Sequence, residues 1–423
     1  MQRVTRRRDS SRAKNSRVYN STFGYNTVTN APFRSLGMTR RTIHYEAHRK
    51  EVCLVHRLIH PRVRIASCAA FALLVAQGLS AQVTPAAGVV PVDNTPAIKV
   101  GMTIFTDYTF SSSPKIRDAN GDSVSFSEFA VRRAYVNVTG NISHLMAFRI
   151  TPDISRETGA GASLSGSLEF RLKYAFGQLN LDDWMPRGTW IRFGIQQTPW
   201  LDFQEGIYRY RFQGTVFSER EGYLSSSDAG LSAHYNLPSN YGDLHAGIYN
   251  GETYSKAEVN NKKAAQVRLS LRPFATSEPT LRGFRAHVFY DGDTYVADAP
   301  RARLLGGLTF EHANLVAGAE YLNTRDQTTR TTTEKKGKGY SVFATPRTTN
   351  GWELLARYEH ITPDDAVTTQ TRTRSIFGIS YWLPHEGSVS SSWLLDVETT
   401  TFDGFTPAQP TQRKLALHGL IAF

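Results

Sequence analysis

The sequence has 423 residues and a formal net charge of +12, and all of that charge lies in the first fifth of the chain. Residues 1–81 hold 15 of the 49 Lys and Arg residues, 3 of the 37 Asp and Glu residues, and both cysteines, Cys53 and Cys68. The remaining residues, 82–423, are therefore neutral and cysteine-free. This argues against nucleic-acid binding and excludes a disulfide scaffold, a cysteine-ligated metal and a cysteine nucleophile in that part.

The first predicted elements are an extension and a leader. Residues 62–81 run from basic residues through a short apolar stretch to a small-residue exit at Ala81, which is the pattern of a signal peptide. Residues 1–61 are basic, rich in Ser and Asn and without apolar periodicity, so we expect them to be disordered. Either the translation start is placed too far upstream, or residues 1–61 are an organellar transit segment. A complete signal peptide behind them favours the first reading.

After a short segment, 82–96, the chain repeats one pattern from Ala97 to the end. Apolar residues alternate with polar ones, as from Lys99 to Tyr108, which is typical of strands with one apolar and one polar face. Most of these segments are near ten residues long, the length that a tilted strand needs to cross a bilayer. Sixteen strands are predicted: 97–110, 125–140, 143–153, 167–181, 189–197, 228–237, 242–251, 263–273, 282–292, 302–311, 315–324, 339–347, 352–361, 372–383, 389–400 and 413–423.

The predicted connections alternate in length, long after odd strands and mostly short after even ones. Up-and-down outer-membrane barrels have this alternation, with the short turns on the periplasmic side together with both termini. A soluble β-sandwich or propeller also contains alternating strands, but it does not predict alternating loop lengths. The predicted fold class is therefore all-β: a 16-stranded antiparallel transmembrane β-barrel over residues 97–423, preceded by the periplasmic segment 82–96, in a bacterial outer membrane.

Two further features agree with a barrel. The last strand presents Leu415, Leu417, Ile421 and Phe423 on one face, and its terminal aromatic resembles the assembly signal that the barrel assembly machinery reads. Outer-membrane lipid is then an expected partner. Five tryptophans lie near predicted short turns, where amphipathic rings would form a girdle at the membrane surface. These are Trp184, Trp190, Trp352, Trp382 and Trp393.

The polar faces of the strands predict a water-filled interior, because a 16-stranded barrel is wide enough to hold a channel. Candidate basic pore-lining residues lie on strands 2 to 5: Arg133, Arg149, Arg171, Lys173 and Arg192. Candidate acidic pore-lining residues lie on strands 11 to 15: Glu320, Glu353, Glu359, Asp396 and Glu398. Opposed walls of opposite sign would place a transverse field across the pore, and rings of charge set ion selectivity.

The longest predicted connection, 198–227, is rich in aromatic and charged residues. It is too long and too aromatic for a plain solvated loop, so we expect it to fold into the lumen and narrow it. Tyr208, Arg209, Arg211 and Arg220 are the candidate constriction residues. The alternative is an outside loop that packs at a subunit contact.

Several blocks resemble the phosphate-selective porin O and P family, over roughly 97–423. They are Phe129–Tyr135, Phe148–Asp153, Arg192–Pro199 and Asn250–Glu252. The resemblance implies a homotrimeric 16-stranded porin with a long constriction loop. It also implies passive diffusion of small hydrophilic solutes or anions past a ladder of arginines and lysines, in which Arg133, Arg149 and Arg192 sit in matching blocks. The neutral mature chain and the acidic wall depart from a strongly anion-selective pore.

The expected function is thus a passive porin that is not an enzyme. The histidines after residue 81 are scattered singly, without metal-ligand spacing, and no G-x-S-x-G, H-E-x-x-H or P-loop motif is present. No cofactor, metal or catalytic residue is therefore predicted. Two alternatives stay open: an outer-membrane barrel enzyme of the lipase or protease kind, and an organellar barrel of the voltage-gated channel kind.

Overall fold

The computed structural model describes residues 94–157, 163–275, 278–385, 387 and 389–423. The predicted extension 1–61, the predicted signal peptide 62–81 and most of the segment 82–96 lie outside these residues. The described part contains sixteen strands. They are β1 Ala97–Arg117, β2 Ser123–Asn141, β3 Met146–Arg156, β4 Leu168–Asn180, β5 Trp190–Gln197, β6 Ser227–Asn236, β7 Gly242–Tyr249, β8 Ala264–Leu271, β9 Phe284–Val296, β10 Ala299–His312, β11 Leu315–Asp326, β12 Lys335–Pro346, β13 Trp352–Thr362, β14 Thr371–Trp382, β15 Ser390–Asp403 and β16 Gln412–Ala422.

The strands close into a single antiparallel barrel in which each strand pairs with its neighbours in sequence and β1 pairs with β16. At the closure, Asp107 lies opposite His418 and Thr103 lies opposite Ala422. The chain terminus extends this pairing, because the backbones of Met102 and Phe423 exchange two hydrogen bonds of 2.9 and 3.0 Å. Full closure leaves no unpaired edge, so every strand is satisfied by its neighbours. The predicted fold class is confirmed.

The alternation of the sequence becomes an outer and an inner surface. Large apolar side chains such as Phe129, Phe193 and Leu308 are exposed on the outside. Their chain neighbours on the inside are polar and mostly buried, for example Arg192 and Thr309. An exposed apolar belt around a closed barrel matches the hydrocarbon core of a bilayer, whereas the polar inner face is shielded from the lipid.

A β-bulge changes one predicted facing. The register between β3 and β4 shifts where Thr151 pairs with Tyr174 and Pro152 pairs with Leu172. Lys173 is therefore an extra residue, and a bulge of this kind turns two successive side chains to the same side. Tyr174, which simple alternation assigns to the apolar outer face, is instead 5% exposed on the inside, next to Lys173.

The predicted alternation of loop lengths holds only in part. The connections after β1 and β9 are short, 118–122 and 297–298, because the predicted long loops there continue as strands. On the opposite side, the connection 272–283 is long and contains a helical turn, Pro279–Arg282. Strand pairing can extend beyond the membrane, so sequence alone does not locate where a loop begins.

The barrel also contains short helices. They are α1 Pro199–Ile207, α2 Phe217–Arg220 and α3 Pro279–Arg282, with one turn of 3₁₀ helix at Pro238–Asn240. None of the helices in the described ranges has the length and apolar character to cross a bilayer. Of the five predicted girdle tryptophans, Trp184, Trp352 and Trp393 are exposed. The other two, Trp190 and Trp382, pack inside the barrel instead.

Candidate functional site: the lumen and the segment that crosses it

The connection between β5 and β6 comprises residues 198–226 and is called the lumenal segment here. It begins with α1, where Pro199 occupies the first turn and suits a position whose backbone N–H has no intrahelical partner. An extended stretch follows, and α2 then turns the chain back towards Ser226, whose carbonyl accepts a bond from Thr198 N (3.3 Å). The two ends of the segment are thus tied together beside β5 and β6.

The lumenal segment reaches side chains on the opposite wall. Trp200 Nε1 donates to Glu320 on β11 (3.0 Å), and the Tyr210 hydroxyl lies 2.6 Å from Ser380 Oγ on β14. Arg220 Nη1 donates to Glu398 on β15 (3.3 Å). These strands lie far from β5 and β6 in the barrel order. Since the contacted side chains face inward, the segment runs across the lumen.

Aromatic packing seals the segment against the wall. Tyr210 stacks on Phe212 with ring centroids 5.6 Å apart, and both rings meet Trp382 edge to face. Phe212 also contacts Phe105 on β1, at 6.4 Å. Trp200, Tyr210 and Phe212 are at most 3% exposed. A buried apolar cluster of this size makes the segment part of the folded core.

Ion pairs fix the segment to the acidic wall. Glu221 of the segment binds both Arg372 and Arg374 on β14. Arg374 also binds Glu359 on β13. Glu221 and Glu359 are almost fully buried, so each depends on its arginines to stay charged away from water.

Arg209 makes a second attachment to this wall. Its guanidinium pairs with Glu353 on β13 and lies 3.8 Å from the ring centroid of Trp382. Burial lowers the pKa of Arg209 to about 9. An arginine stacked on an aromatic ring and paired with a buried carboxylate holds a defined orientation.

The acidic side chains of the segment lie among basic groups of the segment itself and of the basic wall. Arg211 pairs with Glu205 (3.0 Å) and Glu219 (3.2 Å), and all three belong to the segment. Burial by itself would raise the pKa of Glu219, but the charges of Arg211 and Lys173 outweigh it, and the pKa is lowered. The carboxylates of the segment therefore balance positive charge on the basic wall, and the arginines of the segment balance negative charge on the acidic wall.

Other basic side chains of the wall rest on aromatic rings. The guanidinium of Arg192 lies 3.6 Å from the ring centroid of Trp190, and that of Arg149 lies 4.4 Å from Tyr174. Both arginines are at most 2% exposed. Cations desolvated on ring faces are held in place by the structure and are not free to meet a passing ion.

A water-accessible opening remains between the tip of the segment and one side of the barrel. Its volume is about 450 Å³. The wall side is formed by β1, β2, β15 and β16, and the segment contributes Arg211, Phe212, Gln213, Gly214 and Thr215. The charged residues of the lining are Arg132, Arg133, Arg211, Lys414, Asp107, Glu128, Asp396 and Glu398. Four are basic and four are acidic, so the opening has no net formal charge while His418, which also lines it, is neutral.

The structure divides the predicted pore-lining residues into two groups. Arg133, Arg211, Asp396 and Glu398 border the opening. The rest face the interior away from it, either packed against the segment or bound to neighbouring side chains. They are Arg149, Arg171, Lys173, Arg192, Tyr208, Arg209, Arg220, Glu320, Glu353 and Glu359. Tyr208, for example, is 2% exposed and lies edge to face on Phe343.

Several residues of the site escape prediction from sequence. Three of them, Glu205, Glu219 and Glu221, lie in the lumenal segment. This segment is not a strand, so alternation does not predict where their side chains point. Arg132 is the extra residue of a bulge in β2, so alternation places it outside, yet it pairs with Asp107 (2.6 Å) and Glu128 (3.2 Å). The adjacent pair Arg132 and Arg133 within a strand was the one available indication of a bulge.

No group of three or more His, Cys, Asp or Glu side chains in the described part of the chain is arranged to hold a metal ion.

Solved structures with the same architecture were found by comparison. OmpT in its trimer form, an outer membrane protein of Vibrio cholerae, is 11% identical, with a TM-score of 0.52 over 78% of this chain and 100% of that one. The anion-selective porin from Comamonas acidovorans is 10% identical, with a TM-score of 0.54 over 78% and 100%. The outer-membrane channel DcaP of Acinetobacter baumannii is 11% identical, with a TM-score of 0.52 over 80% and 100%. No protein-family model and no curated protein sequence matches the chain.

These likenesses concern the fold, because the identities are low. Together with the closed barrel and its apolar belt they define the class: a bacterial outer-membrane β-barrel of porin architecture. The narrower resemblance to the phosphate-selective porins stays a prediction.

Proposed function

We propose that this protein is a porin, a passive channel through which small hydrophilic solutes cross the outer membrane. The observation that carries the proposal is the opening of about 450 Å³ between the lumenal segment and β1, β2, β15 and β16. Most of the side chains that line it are polar or charged, and the lumenal segment crosses the lumen beside it. A polar passage within an apolar-walled barrel is suited to diffusion of water and polar solutes.

The lumenal segment is the proposed constriction. Its tip, residues 211–215, forms one side of the opening, and its aromatic and ionic contacts keep that tip in place. The pore diameter is then set by a rigid element, so that solute size is the first determinant of passage.

A pair of substitutions on β16 tests this proposal. Ala416 faces the opening and Leu417 faces outward, so Ala416→Trp and Leu417→Trp add the same side chain on opposite sides of one strand. We expect Ala416→Trp to lower single-channel conductance and the rate of liposome swelling with sugars several-fold. Leu417→Trp should leave both unchanged. Equal conductance of the two variants would refute passage through this opening.

The selectivity that the lining supports is weak. Four basic and four acidic residues border the opening, and neighbouring pairs offset each other, for example Lys414 and Glu398 (3.6 Å). We therefore propose a channel with little preference between anions and cations. The reversal potential across a salt gradient should lie near zero for an electrolyte whose two ions have equal mobility.

Preference for anions, including phosphate, is the second candidate. It is favoured by Arg132 and Arg133 at the opening and by the likeness in fold to a protein described as an anion-selective porin. A large reversal potential with the sign of anion selectivity would favour this candidate over the weakly selective one. Inhibition of the chloride current by phosphate would then distinguish a preference for phosphate from a preference for anions in general.

We further propose a homotrimer that is assembled into the membrane through its last strand. One structure of similar fold is described as a trimer form. Phe423 closes the barrel against Met102 and leaves an exposed terminal aromatic. Light scattering of the detergent-solubilised protein measures the trimer, and loss of membrane insertion on deleting Phe423 tests the second part. The absence of a catalytic group stays a prediction from the sequence.

A further inference from the structure

We propose that the outer surface of the β11–β12 hairpin binds the phosphate groups of anionic lipid in the outer leaflet. Arg325 on β11 and Lys336 on β12 are register partners, and Asn323 and Lys338 are the partners one step nearer the membrane centre. All four are exposed on the outside of the barrel. Three cations thus share one small patch of the external surface.

The ion pairs among the described residues do not neutralise the patch. Glu334 is the acidic neighbour, bonded to Arg325 (2.7 Å) and near Lys336 (3.7 Å). Three basic groups to one acidic group leave a charge of +2. The side chains of Arg325 and Lys336 remain 55% and 54% exposed, so both can reach a further anion while keeping Glu334.

The position of the patch relative to the membrane boundary indicates that the anion is a lipid headgroup. Tyr321 and Tyr340 are register partners directly on the membrane side of Asn323 and Lys338, and both rings are exposed outside. Exposed tyrosines mark the boundary between hydrocarbon and headgroups. The cations lie two and four residues further along the strands, about 7 and 13 Å along the strand direction from the tyrosines. Since the strands of such barrels are tilted, the heights above the boundary are somewhat smaller, which places the cations at the level of lipid headgroups.

The end of the barrel identifies the leaflet. The β11–β12 connection follows an odd-numbered strand and therefore lies at the end away from Ala97 and Phe423. In an outer-membrane barrel this end is the external one. Cationic side chains near a charged lipid surface attract its phosphates. A lipid carrying more than one headgroup phosphate matches the charge and spread of the patch best.

The experiment uses the protein extracted from membranes in detergent and titrates it with diphosphorylated lipid A, with binding read by native mass spectrometry. In the test variant, Lys336→Gln is combined with Lys338→Gln. The control variant combines Lys256→Gln with Lys263→Gln in the β7–β8 connection at the same end. The control is matched, because Lys263 pairs with Glu258 (3.0 Å) as Lys336 pairs with Glu334. Heat-modifiable migration on gels checks that both variants are folded.

We expect the test variant to bind lipid A about twenty-fivefold more weakly, at about fivefold per charge removed, and the control variant to bind as the parent does. Phosphatidylcholine should bind much more weakly than lipid A to the parent. Unchanged binding in the test variant, or an equal loss in the control, would overturn the proposal. Displacement of lipid A by excess inorganic phosphate would show a simple anion site and would also overturn it.

Discussion

Acidic and basic side chains pair in two regions of the lumen, one beneath the lumenal segment and the other around the opening. Beneath the lumenal segment, Glu221 and Glu359 are almost fully buried and bound to arginines across the interface. Around the opening, Arg132 and Glu128 also pair, yet their side chains stay 41% and 29% exposed. The first region, called the covered wall, holds the constriction in place. The second region, called the open wall, borders the opening through which we propose that solutes pass.

The difference follows from burial. A buried charge that loses its partner is left in a medium of low dielectric constant, so the pair contributes mainly through the penalty of breaking it. An exposed pair contributes little to stability, but its field reaches ions in the adjacent water. Substitutions of the same chemical kind should therefore act on stability at one wall and on permeation at the other.

The largest effect is expected at the covered wall. Glu221→Gln leaves Arg372 and Arg374 without their shared carboxylate, which should cost about 3–5 kcal/mol. The attachment of the segment should loosen, with a lower temperature of heat-modifiable migration and added noise in single-channel recordings. Glu128→Gln, the same change at the open wall, is the control. If both variants unfold at the parental temperature, the two walls do not differ as described.

The next effect is on selectivity at the open wall. Glu128→Gln removes a negative charge from the opening and Arg132→Gln removes a positive one, at neighbouring sites. The cation-to-anion permeability ratio should fall in the first variant and rise in the second, by up to about fivefold, since a unit charge at 4 Å is worth about 1 kcal/mol in water. Reversal potentials measure both. Shifts of the same sign in both variants would contradict the assignment.

A smaller effect is expected from acid. The lowered pKa of Glu219 means that its pairing stabilises the segment above the ordinary value of 4.5 and that this contribution is lost as the pH falls through the lowered pKa. Channel noise should be constant from neutral pH to about pH 5 and should rise in stronger acid. Glu219→Gln should be noisier at neutral pH and should change less on acidification. An identical acid response in both proteins would assign the effect to other groups.

The smallest effect is expected outside both walls. Arg330 pairs with Asp298 at 3.4 Å in exposed connections, with both side chains more than half exposed. Arg330→Gln should change the free energy of unfolding by less than about 1 kcal/mol and leave conductance and reversal potential unaltered. A clear change in either electrical measurement would show that charges outside the lumen also govern permeation.

Much of the barrel was predictable because alternation is a local property. A residue such as Phe193 faces lipid and Arg192 faces the lumen because successive strand side chains point in opposite directions. The prediction failed where a bulge interrupts this rule, at Tyr174, which follows the extra residue Lys173, and at Arg132. A bulge depends on how two strands pair, and one strand read alone does not show it.

Sequence alone was enough to predict the membrane-facing surface, the inward placement of charged strand residues such as Arg192 and Glu320, and a long aromatic connection after β5. Which charges pair with each other was visible only in the folded barrel, because Glu221 and Arg374 are more than 150 residues apart in the chain. The same holds for the covering of most predicted pore residues and for the position of the opening beside β1, β2, β15 and β16. The direction in which a side chain points is set by local backbone geometry, whereas charge pairing and free volume are set by how distant segments pack together in one enclosed space.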